Sequence, residues 1–255
     1  MIRAGLAVLF LCTAATAASA QGLVAGISQD QIQITSNYAG SDVVVFGDVQ
    51  QSNTGEESPP QGKPDVIVVV RGQNADMAVR RKARVAGIWV NSNKITLNQI
   101  PAYYFVASTR PLAQIASQQT LKLYQIGAAN VEPQSASTRN VAKAEPYRLA
   151  LIAQLRRAHL YAEAPNAVEF LGSTLFRAHV PVPAGAPRGQ YTVEVYVVRN
   201  GQVMDVQSTP FFVDQIGLER DLHHFAFHWP ITYGFTAVLM ALLLGWLSSL
   251  VFRQD

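Results

Sequence analysis

The chain has 255 residues, 49% of them hydrophobic, and a formal net charge of +3 from 20 lysines and arginines against 17 aspartates and glutamates. A charge so close to neutral supplies no overall field that would attract nucleic acid or an anionic surface. The length is sufficient for one large domain or two small ones.

The N-terminus has the anatomy of a secretory signal peptide over residues 1–20. Arg3 forms a short positive region, Leu6–Leu11 an apolar region, and Ala18-Ser19-Ala20 a small-x-small cleavage site. Cleavage removes Cys12, the single cysteine, so the mature chain is expected to lack disulfides and thiolate metal sites. An uncleaved signal would add a second span and leave the same middle of the chain exported.

Residues 21–110 are predicted to form the first part of a β domain. Short β-branched or alternating runs bounded by turn residues occur at "QIQITS", "DVVVFGDV" and "DVIVVVRG". The polar, proline-containing stretch Gln50–Pro64 between the last two runs is typical of a surface loop. Further strands are predicted at "ARVAGIWVN", "KITLN" and "AYYFVAST".

The stretch "VRRKARVAGIWVN" places basic residues near a tryptophan. In a continuous strand, three cations share one face, namely Arg80, Lys82 and Arg84. Arg81 projects to the opposite face. Trp89 then faces away from the three cations and is predicted to be a core residue, unless a bulge at Gly87 changes the register.

Two interpretations of this basic face remain open. The cations are solvated or paired with carboxylates such as Asp65 and Asp76, or they form a docking surface for an acidic protein partner or for anionic headgroups. Nucleic acid is not an expected partner, because the signal peptide places the segment outside the cytoplasm.

A helical insertion is predicted at residues 111–164. The run "RPLAQIASQQTLKLYQIG" has one apolar face, with Pro111 near its first turn and Gly127 as its stop. A second helix is predicted to start near Pro146. Its apolar stripe consists of Leu149, Ile152, Ala153 and Leu160.

The last strands of the β domain are predicted in residues 165–217. In "GQYTVEVYVVRNGQVMDVQSTPFFV", four residues share one face, namely Tyr191, Val193, Val195 and Val197. Asn200-Gly201 is the strongest short hairpin signal, a two-residue type I′ turn. Many short strands with turn punctuation favour a mainly β fold, an immunoglobulin-like antiparallel sandwich that carries the helical insertion.

The segment 218–230 contains the one constellation that could bind a metal. If "ERDLHHFAFHWP" is helical, Asp221, His224 and His228 share a face and present ligands that suit Zn²⁺ or Cu²⁺. The favoured interpretation is an interfacial segment, because histidine and aromatic rings sit at the headgroup level. His159 and His179, elsewhere in the chain, are expected to be packing residues.

Residues 231–252 are predicted to be a transmembrane helix. Its 22 positions contain no charged residue and span about 33 Å, close to the thickness of a hydrocarbon core. Small residues recur every four positions, at Ala237, Ala241, Gly245 and Ser249. This stripe allows self-association or packing against another membrane protein, although small residues are common in membrane helices. The tail 253–255 is expected to be cytoplasmic.

Familiar catalytic motifs are absent from the sequence. It has no Gly-x-Ser-x-Gly, no phosphate-binding glycine-rich loop and no His-Glu-x-x-His. The chain is therefore predicted not to be an enzyme and to use no cofactor.

Several stretches resemble a family of alphaproteobacterial transmembrane proteins of about this length. They are "DVIVVVRG", "VRRKARVAGIWVN", "YYFVASTRPLAQIA", "FLGSTLFRAHVPVPAGAPRGQYTVEVYVVRNG" and "IGLE" before the final span. The likeness runs from Leu23 to the C-terminus. It implies an inner-membrane protein and supplies no reaction, cofactor or catalytic residue.

Together these features predict a single-pass protein of a bacterial inner membrane with a periplasmic β-rich domain. A domain held at the bilayer surface suits a binding or accessory module for other envelope or membrane proteins. The alternative is a periplasmic metal-handling protein or enzyme that uses His223, His224 and His228. The expected partners are the bilayer and a membrane protein or a second copy of the chain.

Overall fold

The computed structural model describes residues 23–34, 38–49, 63–138, 140–215 and 225–251. Within these residues the protein is mainly β, with a small helical layer and one C-terminal apolar helix. The mainly β class and the C-terminal helix are thereby confirmed, whereas the immunoglobulin-like topology stays a prediction. The predicted signal peptide, most of the Gln50–Pro64 loop and the tail lie outside the described residues.

Thirteen strands and four helices are described with their full bounds, and residues 225–228 are also helical. In chain order the strands are β1 Leu23–Ile27, β2 Gln31–Ile34, β3 Gly40–Val49, β4 Asp65–Arg71, β5 Asn74–Val85, β6 Ile88–Pro101, β7 Tyr104–Ser108, β8 Ser135–Ala136, β9 Tyr161–Pro165, β10 Val168–Phe170, β11 Leu175–Pro183, β12 Gly189–Arg199 and β13 Gln202–Gln215. The helices are α1 Leu112–Ile115, α2 Gln118–Leu123, α3 Val141–Arg157 and α4 Pro230–Val251, with a 3-10 turn at Ala128–Asn130. The predicted division into domains is not decided by these bounds and stays a prediction.

The strands form three sheets of four, six and three strands. Their orders are β1-β3-β11-β10, β2-β13-β12-β4-β7-β9 and β5-β6-β8. Most neighbours are antiparallel, but β2 pairs with β13 and β9 pairs with β7 in parallel at the two edges of the six-stranded sheet. The predicted antiparallel arrangement thus holds for most strand pairs, and the two edges are parallel because each edge strand reaches its partner from a distant part of the chain.

The six-stranded sheet is buried on both faces. Val66, Val68 and Val70 of β4 face one core, which lies between this sheet and the four-stranded sheet. Ile67 and Val69 face a second core, formed with the helices and the three-stranded sheet. A strand covered on both faces has no need for polar alternation, which explains the continuous apolar run of β4.

The predicted first helix is divided in two. After α1, Ala116 adopts an extended conformation and forms an isolated parallel bridge with Gly201 in the β12–β13 turn. Ser117 then caps α2, because its side-chain oxygen accepts a hydrogen bond from the Thr120 N–H at 3.1 Å. A contact distant in sequence thus interrupts the helical pattern.

The second helix begins earlier than predicted and buries a different face. α3 starts at Val141, capped by the Asn140 side chain, and Pro146 lies in its second turn without ending it. Its buried residues are Ala144, Leu151, Ile152 and Leu155. Leu149, a member of the predicted stripe, is exposed.

The β12–β13 hairpin has the predicted turn. Asn200 and Gly201 both have positive φ, 50° and 79°, as a type I′ turn requires. The four residues predicted to share a face all lie in the first core. His159 and His179, in contrast, are exposed, so the prediction that they are packing residues is wrong for both.

Candidate functional site

The basic stretch forms a hairpin rather than a single strand. β5 and β6 are joined by Ala86 and Gly87, whose φ angles of 49° and 86° fit a two-residue I′ turn. The turn places Arg84 directly opposite Trp89. The prediction that Trp89 faces away from the cations is therefore wrong, since the chain reverses between the two residues.

The distal half of this hairpin projects beyond the core. Its proximal residues Val79, Ile95 and Leu97 pack in the second core. None of the residues from Arg80 to Lys94 is buried. This segment, named here the arm, extends about 17 Å from Arg80 to the turn at 3.3 Å per residue.

The arm has two chemically different faces. Arg80, Lys82 and Arg84 alternate along one face of β5, and the strand pairing adds Lys94 opposite Arg80. Trp89 shares this basic face, beside Arg84. The apolar face carries Ala83, Val85, Ile88 and Val90. Arg81 is the cation on the apolar face, as the alternation predicts.

The apolar end of the arm is exposed to solvent. Ile88 is 68% exposed and Trp89 is 67% exposed, so Trp89 is not a core residue. Val85 is also more than half exposed. Large apolar side chains clustered at the end of a projecting hairpin are unusual for a surface with no partner.

The cations of the arm have no acidic partner within the described residues. The segment 80–94 contains five lysines and arginines and no aspartate or glutamate. Asp65 instead pairs with Arg110, and Asp76 accepts a hydrogen bond from the Gln99 N–H at 3.0 Å. The interpretation of an internally ion-paired face therefore has no support in the described part of the chain.

The β5–β6 hairpin leaves the six-stranded sheet at the end where β13 also ends. β4 and β13 run in the same direction, because both are antiparallel to β12. Gln73, which joins β4 to β5, lies against Gly189, and Gly189 pairs with Val213 of β13. The root of the β5–β6 hairpin, whose distal part is the arm, and the end of β13 are therefore neighbours.

A second exposed apolar surface lies on the four-stranded sheet. Val24, Phe46 and Leu175 are on neighbouring strands and project from the face opposite the first core. The Phe46 ring covers Gly26, where an added Cβ would lie 3.2 Å from the ring. This surface is named here the outer sheet face.

A polar cleft of about 430 Å³ lies beside the β12–β13 turn and includes Asp65. The Asp65 carboxylate accepts hydrogen bonds from Thr109 Oγ1 at 2.9 Å and from Arg110 Nε at 2.8 Å. Burial by itself raises the pKa of Asp65, but these hydrogen bonds and the Arg110 charge outweigh it and lower the pKa below its usual value. Asp65 in this cleft is therefore already paired with Arg110 and hydrogen-bonded to Thr109.

The lowered pKa of Asp65 gives a testable pH dependence. Stabilisation from this carboxylate is fully present above the unfolded-state pKa, about 3.9, and is lost as pH falls through the lower folded-state pKa. We expect Asp65→Asn to be less stable than the wild type near neutral pH and to lose less stability between about pH 5 and pH 2. Urea denaturation at a series of pH values measures this, and parallel profiles for the two proteins would contradict it.

The metal candidates are not brought together by the described residues. Asp221 and His224 lie outside them, as does His223, and His228 lies in the helical residues 225–228. Within the described ranges no group of three or more histidine, cysteine, aspartate or glutamate side chains could hold a metal ion. The metal candidates and the favoured interpretation of an interfacial segment therefore both stay untested.

In the described part of the chain, the candidate membrane span within α4 is not buried against the β domain. Residues Pro230–Ser248 are long and apolar enough to cross a bilayer, with mean hydropathy 1.7, and none of them is buried. The predicted packing stripe lies within α4, at Ala237, Ala241, Gly245 and Ser249. An added Cβ at Gly245 would meet no atom within 4 Å, so the described chain leaves this position open.

The fold and these surfaces define the class of the protein: a β-rich domain followed by one helix that can span a membrane. The chain belongs to the family described as putative transmembrane protein (Alph_Pro_TM), whose model matches residues 22–254. No curated protein and no solved structure matches the chain.

Sequence reasoning located the cations of the arm but missed the hairpin. The available signal was Gly87 between two runs of apolar and β-branched residues. Alanine in place of asparagine or aspartate before that glycine removes the usual side-chain preference for a I′ turn. The turn forms because the two strands pair along their whole length.

Proposed function

We propose that the protein is a single-pass inner-membrane protein whose periplasmic β-rich domain is a binding or accessory module for other envelope or membrane proteins. The predicted signal peptide supports export of the domain, and the C-terminal helix supports its attachment to the bilayer. This topology places the residues that follow α4 on the cytoplasmic side.

One observation carries the proposal, namely that the domain exposes clustered apolar side chains outside its membrane helix. The outer sheet face presents Val24, Phe46 and Leu175 around the single carboxylate of Asp48, which pairs with both Val24 and Leu175. Exposed apolar side chains around one charged group suit a protein partner. Arg177, which pairs with Glu169, borders this face on β11. A domain that did not bind another protein would gain solubility from polar residues at these positions.

A photo-crosslinking residue in place of Phe46 tests the proposal. We expect irradiation of native membranes to join the full-length chain to another envelope protein, identified by mass spectrometry, because Phe46 lies at the centre of the outer sheet face. The matched control carries the same crosslinker in place of Gln202, an exposed polar residue next to the β12–β13 turn. Equal adducts from both positions, or adducts with lipids or the chain itself alone, would contradict the proposal.

The metal-handling alternative has its own test. Metal analysis of the purified full-length protein, with and without His224→Ala and His228→Ala, measures whether the juxtamembrane segment holds an ion. Stoichiometric metal that is lost in both variants would favour this alternative, since imidazoles are the ligands at issue.

A further inference from the structure

We propose that the arm docks onto the anionic surface of the same bilayer in which α4 is anchored, and so forms a second membrane attachment of the domain. The inference rests on the proposed function in one respect, the placement of the β domain next to the membrane. In this proposal the arm binds lipid, and the outer sheet face remains free to bind a protein partner.

The chemistry at the end of the arm fits the interfacial layer of a bilayer. Trp89 and Ile88 are exposed at the turn, and tryptophan prefers the headgroup level, where its ring is half wet. Val85 lies opposite Ile88, so the end of the hairpin presents an apolar edge. Insertion of this edge would remove from water the apolar side chains that the described chain leaves uncovered.

The cations lie where phosphate groups would meet them. Arg84, Lys82 and Arg80 follow one another behind the apolar edge at intervals of about 6.6 Å, which is two residues of a strand. Lys94 continues the row on β6, opposite Arg80. When the edge enters the headgroup layer, these side chains lie at and above the level of the phosphates, and no carboxylate in the segment 80–94 opposes them.

The connection of the arm to the fold permits this contact. Nine residues lie between Gln215, the end of β13, and Phe225, the first described residue of the helical segment, and these ten residue-to-residue steps span at most about 36 Å. The twelve residues of β5 measure about 40 Å from the root of the β5–β6 hairpin to its turn. The hairpin is therefore as long as the greatest distance that the connection allows between the end of β13 and the start of the described helical residues at Phe225.

An acidic protein is the competing partner for the same charges. The arrangement of the arm favours lipid, because its most exposed apolar residues are at the extreme end, with Arg84 beside Trp89 and the other cations behind it. A protein interface of standard size needs a broad buried centre with charges at its rim. The end of the arm consists of two cross-strand residue pairs, Val85–Ile88 and Arg84–Trp89. A surface of this width is too narrow for such a centre.

A fluorescent label at the end of the arm tests the inference in the full-length protein. We choose Ile88→Cys in a Cys12→Ser background, labelled with an environment-sensitive dye and reconstituted in nanodiscs of phosphatidylcholine with or without phosphatidylglycerol. We expect a blue shift and quenching by spin-labelled lipids in the anionic discs. The control label at Gln202→Cys, near the opposite end of the six-stranded sheet, is expected to remain in water.

Neutralisation of the cations separates lipid docking from other causes of quenching. The triple variant Arg80→Gln, Lys82→Gln and Arg84→Gln, each at an exposed position, is expected to lower the ratio of docked to free arm by roughly a hundredfold, about fivefold for each charge. Raising the salt concentration should act in the same direction.

Three results would overturn the inference. They are a label at residue 88 that stays in water in both kinds of disc, quenching that survives the triple substitution, and protection of the label only when an acidic protein is added. Failure of the Phe46 crosslinking experiment would instead overturn the proposed function, because that experiment uses the outer sheet face and reports protein partners. The two failures are therefore distinguishable.

Discussion

Phe176→Ala is expected to reduce the free energy of unfolding of the β domain by about 3–5 kcal/mol, the usual cost of removing a buried aromatic ring. The Phe176 side chain is fully buried in the first core, between the four-stranded and six-stranded sheets. Its ring lies against Gly47 of β3, where an added Cβ would be 2.7 Å from the ring. The absence of a side chain at Gly47 makes room for the ring, so truncation leaves a cavity with rigid backbone on one side.

Chemical denaturation of the full-length protein in detergent, followed by near-ultraviolet circular dichroism, measures this loss. The matched control is Leu175→Ala, one residue away on the same strand but 43% exposed on the outer sheet face. We expect the control to lose about 0.5 kcal/mol, the usual size of a surface effect. Similar losses in both variants would show that the first core does not enclose Phe176.

Arg71→Met is expected to reduce the free energy of unfolding by about 2–3 kcal/mol, because it leaves the Glu194 carboxylate without its cation. Arg71 of β4 forms an ion pair with Glu194 of β12 and donates a hydrogen bond to the Tyr124 carbonyl oxygen at 2.9 Å. Tyr196 donates its hydroxyl hydrogen to the same carboxylate at 2.7 Å. The side chains of the pair keep 19% and 22% exposure, so the loss lies below that of a fully buried pair.

A double substitution distinguishes the loss of the pair from loss of packing. Arg71→Met with Glu194→Met removes both charges and is expected to be more stable than Arg71→Met alone. The control Lys122→Met breaks the ion pair with Glu132, whose side chains are largely exposed, and is expected to cost less than about 0.5 kcal/mol. A double variant as unstable as the sum of its two single substitutions would contradict this account.

The local patterns of the sequence predicted several elements correctly. The apolar run of β4, the Asn200-Gly201 hairpin and the inward face of β12 follow from residue types within one strand or turn. The alternation along β5 likewise placed Arg80, Lys82 and Arg84 on one face. These predictions succeeded because the information needed for them is contained in neighbouring residues.

Predictions failed where a distant segment determines the conformation. The helix over residues 111–127 is interrupted at Ala116 by a bridge to Gly201, which no local periodicity shows. Trp89 belongs to the far strand of a hairpin whose turn has no asparagine or aspartate, so alternation counted along one strand put it in the core. The candidate site was therefore identified by its charges, while its shape was not.

The sequence by itself determined that this chain is a mainly β protein with one helix able to span a membrane, because strand patterns and a charge-free apolar run are local properties. Only the tertiary structure decided that the six-stranded sheet is covered on both faces and that both of its edge strands pair in parallel with their neighbours. It also decided that the cations and Trp89 project together on an exposed arm. Pairing between residues far apart in the chain fixes these features, and the physical reason is that backbone hydrogen bonds and apolar burial are satisfied only when all the strands assemble.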